Sequence, residues 1–251
     1  MQNIVEILNS FDPITLPELQ SHALMRRFDT KFKFHIDRLP EFLKHVSKDY
    51  YILDINNIRL HKYETLYFDT DEFQLFVQHH NVARNRYKIR FRRYADSNLT
   101  FFEIKHKNNK NFTVKQRIQL KEVEKSLLNE AGDFLKENTN LDPSVLKPKV
   151  WVYYYRLTLV NKISEERLTI DIDPSFKMND TSAAFKPLVI AEVKQAKFMR
   201  SPFLALMRKN HIHVESISKY CLGVYLTNKN IKKNNFKHSI TSINKLCHEK
   251  N

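Results

Sequence analysis

Glycine is almost absent from this sequence: Gly132 and Gly223 are the only two among 251 residues. The phosphate-binding loops of many nucleotide-binding proteins depend on closely spaced glycines, which let backbone amides approach the ligand. Two isolated glycines exclude both the G-x-G-x-x-G pattern and the Walker loop. If this protein binds phosphate, its side chains must therefore supply the contacts.

Cysteine and long apolar runs are also scarce. Cys221 and Cys247 are too few and too far apart for a disulfide framework or a thiolate zinc site. No apolar run approaches the roughly 20 residues that span a bilayer. Residues 1–10 have neither the basic start nor the apolar stretch of a signal peptide. We therefore expect no transmembrane segment and a cytoplasmic location.

Positive charge, in contrast, is abundant. The chain has 42 Lys and Arg residues against 28 Asp and Glu, a formal net charge of +14. Such an excess favours polyanionic partners, among them polyphosphate, nucleic acid and phospholipid surfaces. Part of it lies in the Lys- and Asn-rich residues 226–251, which we predict to be a solvated tail. The remainder lies in residues 1–225, which we predict to be one folded domain.

Several segments alternate cations with apolar residues, the pattern of a β-strand with two different faces. In residues 86–94 the cations Arg86, Lys88, Arg90 and Arg92 alternate with Tyr87, Ile89 and Phe91. Similar patterns and apolar runs predict eight strands, over residues 30–36, 63–69, 86–94, 100–107, 113–120, 150–160, 167–173 and 188–195. A capping box of Thr15 and Glu18 predicts a helix over about residues 15–27, and apolar periodicity predicts another over 122–135.

The charged faces of these strands carry many cations and few carboxylates. The cations are Lys31, Arg90, Arg92, Lys105, Lys115, Arg156 and Arg167, with Lys88, Arg117 and Lys194 in register beside them; the carboxylates are Glu103, Asp171 and Glu192. Like charges on neighbouring strands destabilise a sheet, and a bound polyanion would relieve the repulsion. A closed antiparallel barrel with a polar lumen and helices outside satisfies both faces. Within it, a carboxylate could hold a divalent metal that bridges phosphate oxygens.

At this point the sequence resembles a known family. Nine segments are similar, in order, to the VTC (vacuolar transporter chaperone) catalytic domain of the triphosphate tunnel metalloenzymes, a CYTH-like superfamily: residues 24–32, 67–70, 88–94, 102–105, 114–117, 154–156, 167–171, 191–194 and 218–220. The resemblance covers about residues 14–225. It implies an α+β fold, with an eight-stranded antiparallel β-tunnel surrounded by helices.

The resemblance also implies an activity and a site. Eukaryotic members are polyphosphate polymerases, which move the terminal phosphoryl of ATP onto a growing polyphosphate chain. Carried over by motif, Glu192 would ligate Mn²⁺ or Mg²⁺, with Glu103 and Asp171 as additional candidates. Lys219 would lie near the transferred phosphoryl and act with Arg90 and Arg92. The phosphate-binding set would be Lys31, Lys88, Arg90, Arg92, Lys105, Lys115, Arg117, Arg156, Arg167, Lys194 and Lys219.

Other functions stay open at this stage. The first tunnel strand has Asp29 and Lys31 in place of the Glu-x-Glu-x-Lys pattern of the hydrolytic branch. This argues against hydrolysis of triphosphate or nucleoside triphosphates without excluding it. A non-catalytic module that binds polyphosphate is a second alternative. Nucleic acid is a less favoured partner, because Tyr87 and Phe91 alternate onto the face opposite the cations, whereas base stacking needs both on one surface.

Overall fold

The computed structural model describes residues 2–21, 28–110 and 112–248. Within them the predicted capping box is present, because the backbone N–H of Thr15 donates to Glu18 Oε2 at 2.8 Å. The helix that follows is Leu16–Ser21. Residues 22–27, the remainder of the helix predicted over 15–27, lie outside the described residues.

The described residues form helices and strands with the following bounds. The helices are α1 (Gln2–Leu8), α2 (Leu16–Ser21), α3 (Leu39–Val46), α4 (Gln74–His80), α5 (Glu130–Asn138), α6 (Pro202–Lys209), α7 (Lys219–Thr227) and α8 (Lys237–His248). The strands are β1 (Asp12–Ile14), β2 (Phe28–His35), β3 (Tyr50–Leu53), β4 (His61–Asp69), β5 (Arg86–Tyr94), β6 (Leu99–Lys107), β7 (Thr113–Leu120), β8 (Lys147–Asn161), β9 (Glu166–Met178), β10 (Thr181–Ala184) and β11 (Leu188–Gln195). None of the described helices is long and apolar enough to cross a lipid bilayer.

All eleven strands belong to one sheet. Eight of them follow one another in the order β2-β11-β9-β8-β4-β5-β6-β7, and every pairing along this path is antiparallel. These are the eight strands that the alternation predicts. Three short strands complete the sheet: β3 pairs with β8, β10 pairs with β9, and β1 adds to β3 in parallel.

The sheet curls until its two ends face each other. Strand β2 begins the path and β5 and β6 lie near its other end, yet Lys31 on β2 contributes to lowering the pKa values of Lys88 and Lys105. The segment before α7 spans the gap between them. Its Glu215 N–H donates to the Lys31 carbonyl at 2.9 Å, and its Ser218 hydroxyl accepts from Lys88 Nζ at 3.0 Å. The α+β tunnel fold predicted above is confirmed.

The convex face of the sheet is apolar and covered by helices. One cluster packs α1, α3 and α6 against β2, β8, β9 and β11, with Phe34, Phe42, Leu157 and Phe203 almost fully buried. A second cluster packs α5 and α4 against β4, β5 and β6. Burial of this face fixes which way each strand points its alternate residues, and so directs the charged residues inward.

The concave face differs from the prediction of a lumen that is polar throughout. Along the face of β8 and β11 that carries Arg156 and Glu192, the residues toward the other end are apolar, among them Val150, Val152, Leu188 and Ile190. Helices α7 and α8 pack against them inside the curled sheet. Gly223 makes the approach of α7 possible, since a Cβ there would lie 3.0 Å from Val150 and the Phe176 ring. One half of the interior is thus filled.

The C-terminal segment is therefore not a solvated tail over its described length. Helix α8 buries Ile240 and Ile243 in the interior cluster and exposes its polar face. The high content of Lys and Asn hides an amphipathic spacing, because the two isoleucines are three residues apart and lie on one side of the helix. Composition alone suggested solvation, and periodicity decides the fold.

The helix predicted over 122–135 begins later, at Glu130. Residues 122–129 form a loop that turns back onto the helix, and Gly132 lies in the first turn of α5. A Cβ at Gly132 would lie 2.1 Å from the Leu127 carbonyl oxygen. This glycine is therefore required for a close approach between the loop and the helix.

Candidate active site

The register of three neighbouring strands aligns the inward side chains in rows, because directly opposed residues share a face. The lysine row is Lys88, Lys105 and Lys115; the arginine row is Arg90, Glu103 and Arg117; the third row is Arg92, Phe101 and Gln119. Successive rows are two residues apart, or about 7 Å along the strands. Cations from distant parts of the sequence thus lie side by side.

Glu103 is the centre of the arginine row and is completely buried. Arg90 donates to its Oε2 at 2.8 Å, Lys115 lies 2.5 Å from Oε1 and Arg92 lies 3.7 Å from Oε2. Burial alone would raise the pKa of Glu103, but Arg92, Arg90 and Lys115 hold that pKa well below its usual range. Arg90 also donates to the Tyr67 hydroxyl at 2.8 Å. The Arg90 guanidinium is therefore held from two sides, whereas that of Arg92 has the longer contact with Glu103 and lies 5.6 Å from the centre of the Tyr63 ring.

A second ion cluster lies on the facing wall. Arg156 donates to both oxygens of Asp171, at 2.6 and 2.8 Å, in a bidentate pair. Lys219, the first residue of α7, donates to the same carboxylate. Burial alone would raise the pKa of Asp171, but Arg156 and Lys219 lower it to about 2. Ser218 caps α7 through the Cys221 N–H at 3.3 Å and so places Lys219 at the cluster.

Glu192 forms a third cluster with two lysines. Lys194 Nζ lies 2.8 Å from its Oε2, and Lys31 Nζ, opposite it in the sheet, lies 3.6 Å from Oε1. Burial opposes ionisation, but Lys194 and Lys31 keep the pKa of Glu192 well below its usual range. Lys194 also donates to the Thr169 hydroxyl at 2.9 Å. Its own pKa is lowered, chiefly by burial.

The lysine row is less well compensated than these clusters. Burial, with repulsion from Lys88 and Lys31, lowers the pKa of Lys105 to about 7. Burial and the nearby Arg92 and Arg90 lower the pKa of Lys115 to about 7, in spite of its contact with Glu103. Burial, with smaller contributions from Lys31 and Arg90, lowers the pKa of Lys88 to about 8. Without an anion, the folded protein disfavours three positive charges here.

Two predicted phosphate ligands lie at the margins. Arg117 belongs to the arginine row by register, but it is exposed and its guanidinium stacks over the Phe101 ring at 4.7 Å. Arg167 lies opposite Lys194 and donates to the Leu19 carbonyl in α2 at 2.8 Å. The structure thus brings together the remaining predicted cations and leaves these two at the edge of the cavity.

The carboxylates fit only one kind of metal site. Among residues 2–21, 28–110 and 112–248, no group of three or more His, Cys, Asp or Glu side chains lies close enough together to hold an ion. All three carboxylates are paired with cations, but the side chains of Glu103 and Asp171 are only 0% and 3% exposed, whereas that of Glu192 is 17% exposed. Mg²⁺ is often bound through one or two carboxylates plus substrate phosphates. Glu192 fits a metal that binds together with a triphosphate.

Three aromatic side chains on the cation face are not among the predicted site residues: Tyr63, Tyr94 and Phe101. Tyr63 stacks with Tyr154 at 5.2 Å, and the Arg156 guanidinium lies 4.9 Å from the Tyr63 ring. Tyr94 and Phe101 face inward beside them. The alternation rule could have found two of them, because residues two apart in a strand point to the same face. Phe101 is two residues from Glu103, and Tyr94 is two residues from Arg92. Tyr87 and Phe91 do face the opposite way.

Some solved structures are similar in fold at low identity. A candidate adenylate cyclase from Vibrio parahaemolyticus is 14% identical with a TM-score of 0.46, covering 79% of this chain and 99% of its own. Another, from Bacillus halodurans, is 16% identical with a TM-score of 0.46, covering 77% and 96%. The candidate adenylyl cyclase HpAC1 from Hippeastrum, in which a triphosphatase activity dominates, is 11% identical with a TM-score of 0.41, covering 82% and 99%. Likenesses this weak carry no argument about activity.

Sequence comparison is more decisive. No curated protein matches the chain. The profile of the VTC domain, however, matches residues 26–228, well over half of the 251 residues. This match spans the path of eight strands from β2 to β11 and continues through α7. It confirms the resemblance carried by the nine segments: this chain belongs to the VTC domain family.

Proposed function

We propose that this protein is a metal-dependent phosphotransferase that moves the terminal phosphoryl of ATP, or of another nucleoside triphosphate, onto a growing polyphosphate chain. One observation carries the proposal. The cations that face the cavity outnumber its carboxylates. Burial and the neighbouring cations lower the pKa values of the three lysines of the lysine row to about 7 to 8. A chain of phosphates supplies the missing negative charge along the whole row.

The residues divide the work by their chemistry. Arg90 and Arg156 are pre-positioned by Glu103 and Asp171, so they can clamp phosphate oxygens with little loss of freedom, and Arg92 adds a third guanidinium beside them. The lysines act as point charges around the transferred group, and Lys219 lies at the start of α7 beside them. Glu192 would hold a divalent ion, Mn²⁺ or Mg²⁺, which would neutralise negative charge on the triphosphate. Phosphoryl transfer needs no protein nucleophile, because positioning and charge stabilisation provide most of the catalysis.

The test separates transfer from hydrolysis and from simple binding. Purified protein is incubated with ATP and Mn²⁺, and the products are resolved on a gel and assayed for orthophosphate. We expect a polyphosphate ladder. Release of orthophosphate without polymer would identify a triphosphate hydrolase, and tight polyphosphate binding without turnover would identify a binding module. Either result would contradict the proposal.

Variants connect the activity with the cavity. Glu192→Gln and Lys219→Met are expected to lower the rate at least a hundredfold, since each removes a charge that the transition state needs. Lys125→Met removes a lysine that is exposed outside the cavity and is the matched control. Circular dichroism checks that all three variants fold. Full activity in Glu192→Gln or Lys219→Met would refute the assignment of the site.

A further inference from the structure

Two aromatic rings of the cavity have no part in the phosphate chemistry. Tyr94 is the last residue of β5 and Phe101 is the third residue of β6, and both lie on the face that carries the arginines. Their rings are perpendicular with centroids 5.7 Å apart, and both side chains are half-buried, which leaves part of each ring open. They adjoin the turn at residues 96–98, which is exposed to solvent. They therefore lie where the cavity opens.

Phe101 already carries a flat cation. The Arg117 guanidinium lies 4.7 Å from the centre of its ring, and Arg117 itself is exposed. A planar guanidinium over an aromatic ring forms a stack to which a further flat, electron-rich ring can add. Nucleobases stack in this way on aromatic and arginine planes. The pair at the opening of the cavity thus has the chemistry of a base-stacking surface.

Its position relative to the cations matches a nucleotide. Phe101 and Lys105 are four residues apart on β6, or about 14 Å along the strand, with Glu103 and the arginine row between them. The lysine row meets α7 at the filled end of the interior, where Lys88 donates to Ser218. A nucleotide with its terminal phosphate at the lysine row has its inner phosphates at the arginines. Its base then reaches the opening.

We propose that Phe101 and Arg117, with Tyr94 beside them, form a stacking platform for the base of the nucleoside triphosphate; this inference rests on the proposed function. The platform contacts a base only through the flat faces of its rings and of the guanidinium, and every nucleobase can stack on such a face. It therefore distinguishes a nucleoside triphosphate from inorganic triphosphate and discriminates little between adenine and guanine. Arg117, which lies apart from the phosphate clusters, has its role here.

The experiment compares two ligands that differ only by the nucleoside. Isothermal titration calorimetry measures the affinity of the protein for ATP and for inorganic tripolyphosphate. In Phe101→Ala we expect the affinity for ATP to fall by about tenfold or more, as for loss of one stacking contact, with the affinity for tripolyphosphate unchanged. Phe101→Trp should keep the wild-type preference. Phe112→Ala, at a phenylalanine exposed on the adjoining β6–β7 turn, is the matched control.

The outcomes keep this inference apart from the proposed function. If Phe101→Ala weakens ATP and tripolyphosphate equally, or neither, the platform is refuted while phosphate binding stands. If Phe101→Ala does not fold, Phe101→Leu and Arg117→Met provide the same comparison. The affinity of the wild-type protein for GTP should be within a few-fold of its affinity for ATP. Strong discrimination between the two would contradict recognition by base stacking alone. If the wild-type protein binds neither ATP nor tripolyphosphate, the proposed function itself fails.

Discussion

The two halves of the interior solve opposite problems. One half is apolar and filled by α7 and α8, with Ile243 and Val224 almost fully buried. The other half is lined by cations around Glu103, Asp171 and Glu192. Burial of apolar surface stabilises the first half. The second half gathers like charges, which costs stability, so the filled half offsets the cost of the functional one.

Within the charged half, arginines and lysines differ in the same sense. The guanidinium groups of Arg90 and Arg156 are bound to buried carboxylates, and these pairs belong to the folded framework. The lysine row has depressed pKa values and is only partly neutralised. The arginines are thus framework cations, which are paired with carboxylates in the ligand-free protein, and the lysines of the row are ligand cations, which are not fully neutralised until an anion binds. Substitutions should separate these roles.

The largest effect should follow from breaking the arginine framework. Glu103→Gln keeps the volume and removes the buried charge, so that Arg90, Arg92 and Lys115 lose their common partner. We expect a loss of about 3–5 kcal/mol in the free energy of unfolding, the usual cost of leaving buried charges unpaired. Urea denaturation measures it. Glu41→Gln, at an exposed residue 3.7 Å from Arg38, should stay within about 1 kcal/mol of wild type.

A similar but smaller loss should follow from opening the filled half. Ile243→Ala in α8 removes a side chain that is 0% exposed, and we expect the free energy of unfolding to fall by about 2–4 kcal/mol. Ile163→Ala, at a residue that is 95% exposed, is the control. If the two variants are equally stable, α8 does not belong to the folded interior, and the claim that α8 fills the apolar half is contradicted.

Removing a lysine should have opposite effects on stability and binding. Lys105→Met relieves repulsion within the lysine row, so the ligand-free protein should melt at a temperature equal to or above that of wild type. The affinity for tripolyphosphate should fall by about 10- to 100-fold, because a charge-assisted contact is lost. Differential scanning fluorimetry and calorimetry measure the two quantities, with Lys125→Met as control. A lower melting temperature would show that Lys105 belongs to the framework after all.

The smallest effect is a dependence on pH. The pKa values of Lys105 and Lys115 are about 7 in the folded protein and near 10.5 when unfolded, so the unfolded chain binds more protons above pH 7. The ligand-free protein should therefore gain stability between pH 7 and pH 9. A bound phosphate chain raises these pKa values, so its affinity should fall by about tenfold over the same range, with uptake of protons.

Calorimetry in two buffers of different ionisation enthalpy measures the proton uptake. Lys105→Met should reduce both the uptake and the slope of stability with pH. If tripolyphosphate binds without proton uptake at pH 8, the lysines of the row are fully charged in the free protein. They would then not differ from the arginines in their charge state.

Much of this structure was predictable because strands impose a simple rule. Alternation and apolar runs located the eight long strands, and alternation placed Arg90, Lys105 and Glu192 on one face, since neighbouring residues in a strand must point to opposite sides. The same rule extends to Phe101, whose parity is that of Glu103. Phe101 was not among the predicted site residues, because those were chosen for their charge. The roles of the predicted ligands remain predictions.

Other features depend on partners that are distant in the sequence. Nothing local shows that Glu103 is enclosed by three cations, or that Asp171 is shared by Arg156 and Lys219 from α7. A solvated tail was a reasonable expectation for residues 226–251, but the apolar wall against which Ile240 and Ile243 pack is built by other segments. Gly132 is similar, because its role depends on the position of the Leu127 carbonyl.

By itself, the sequence determined the strands, their inward charge and the family, and it predicted that any phosphate ligands are side chains. These follow from local periodicity and from ordered motifs, which do not require knowledge of contacts. The tertiary structure alone decided which half of the interior is filled and where the aromatic rings lie. It also decided which cations are neutralised by carboxylates and which are not. The physical reason is that burial and charge compensation are properties of the assembled neighbourhood, and a residue acquires them only when distant segments meet.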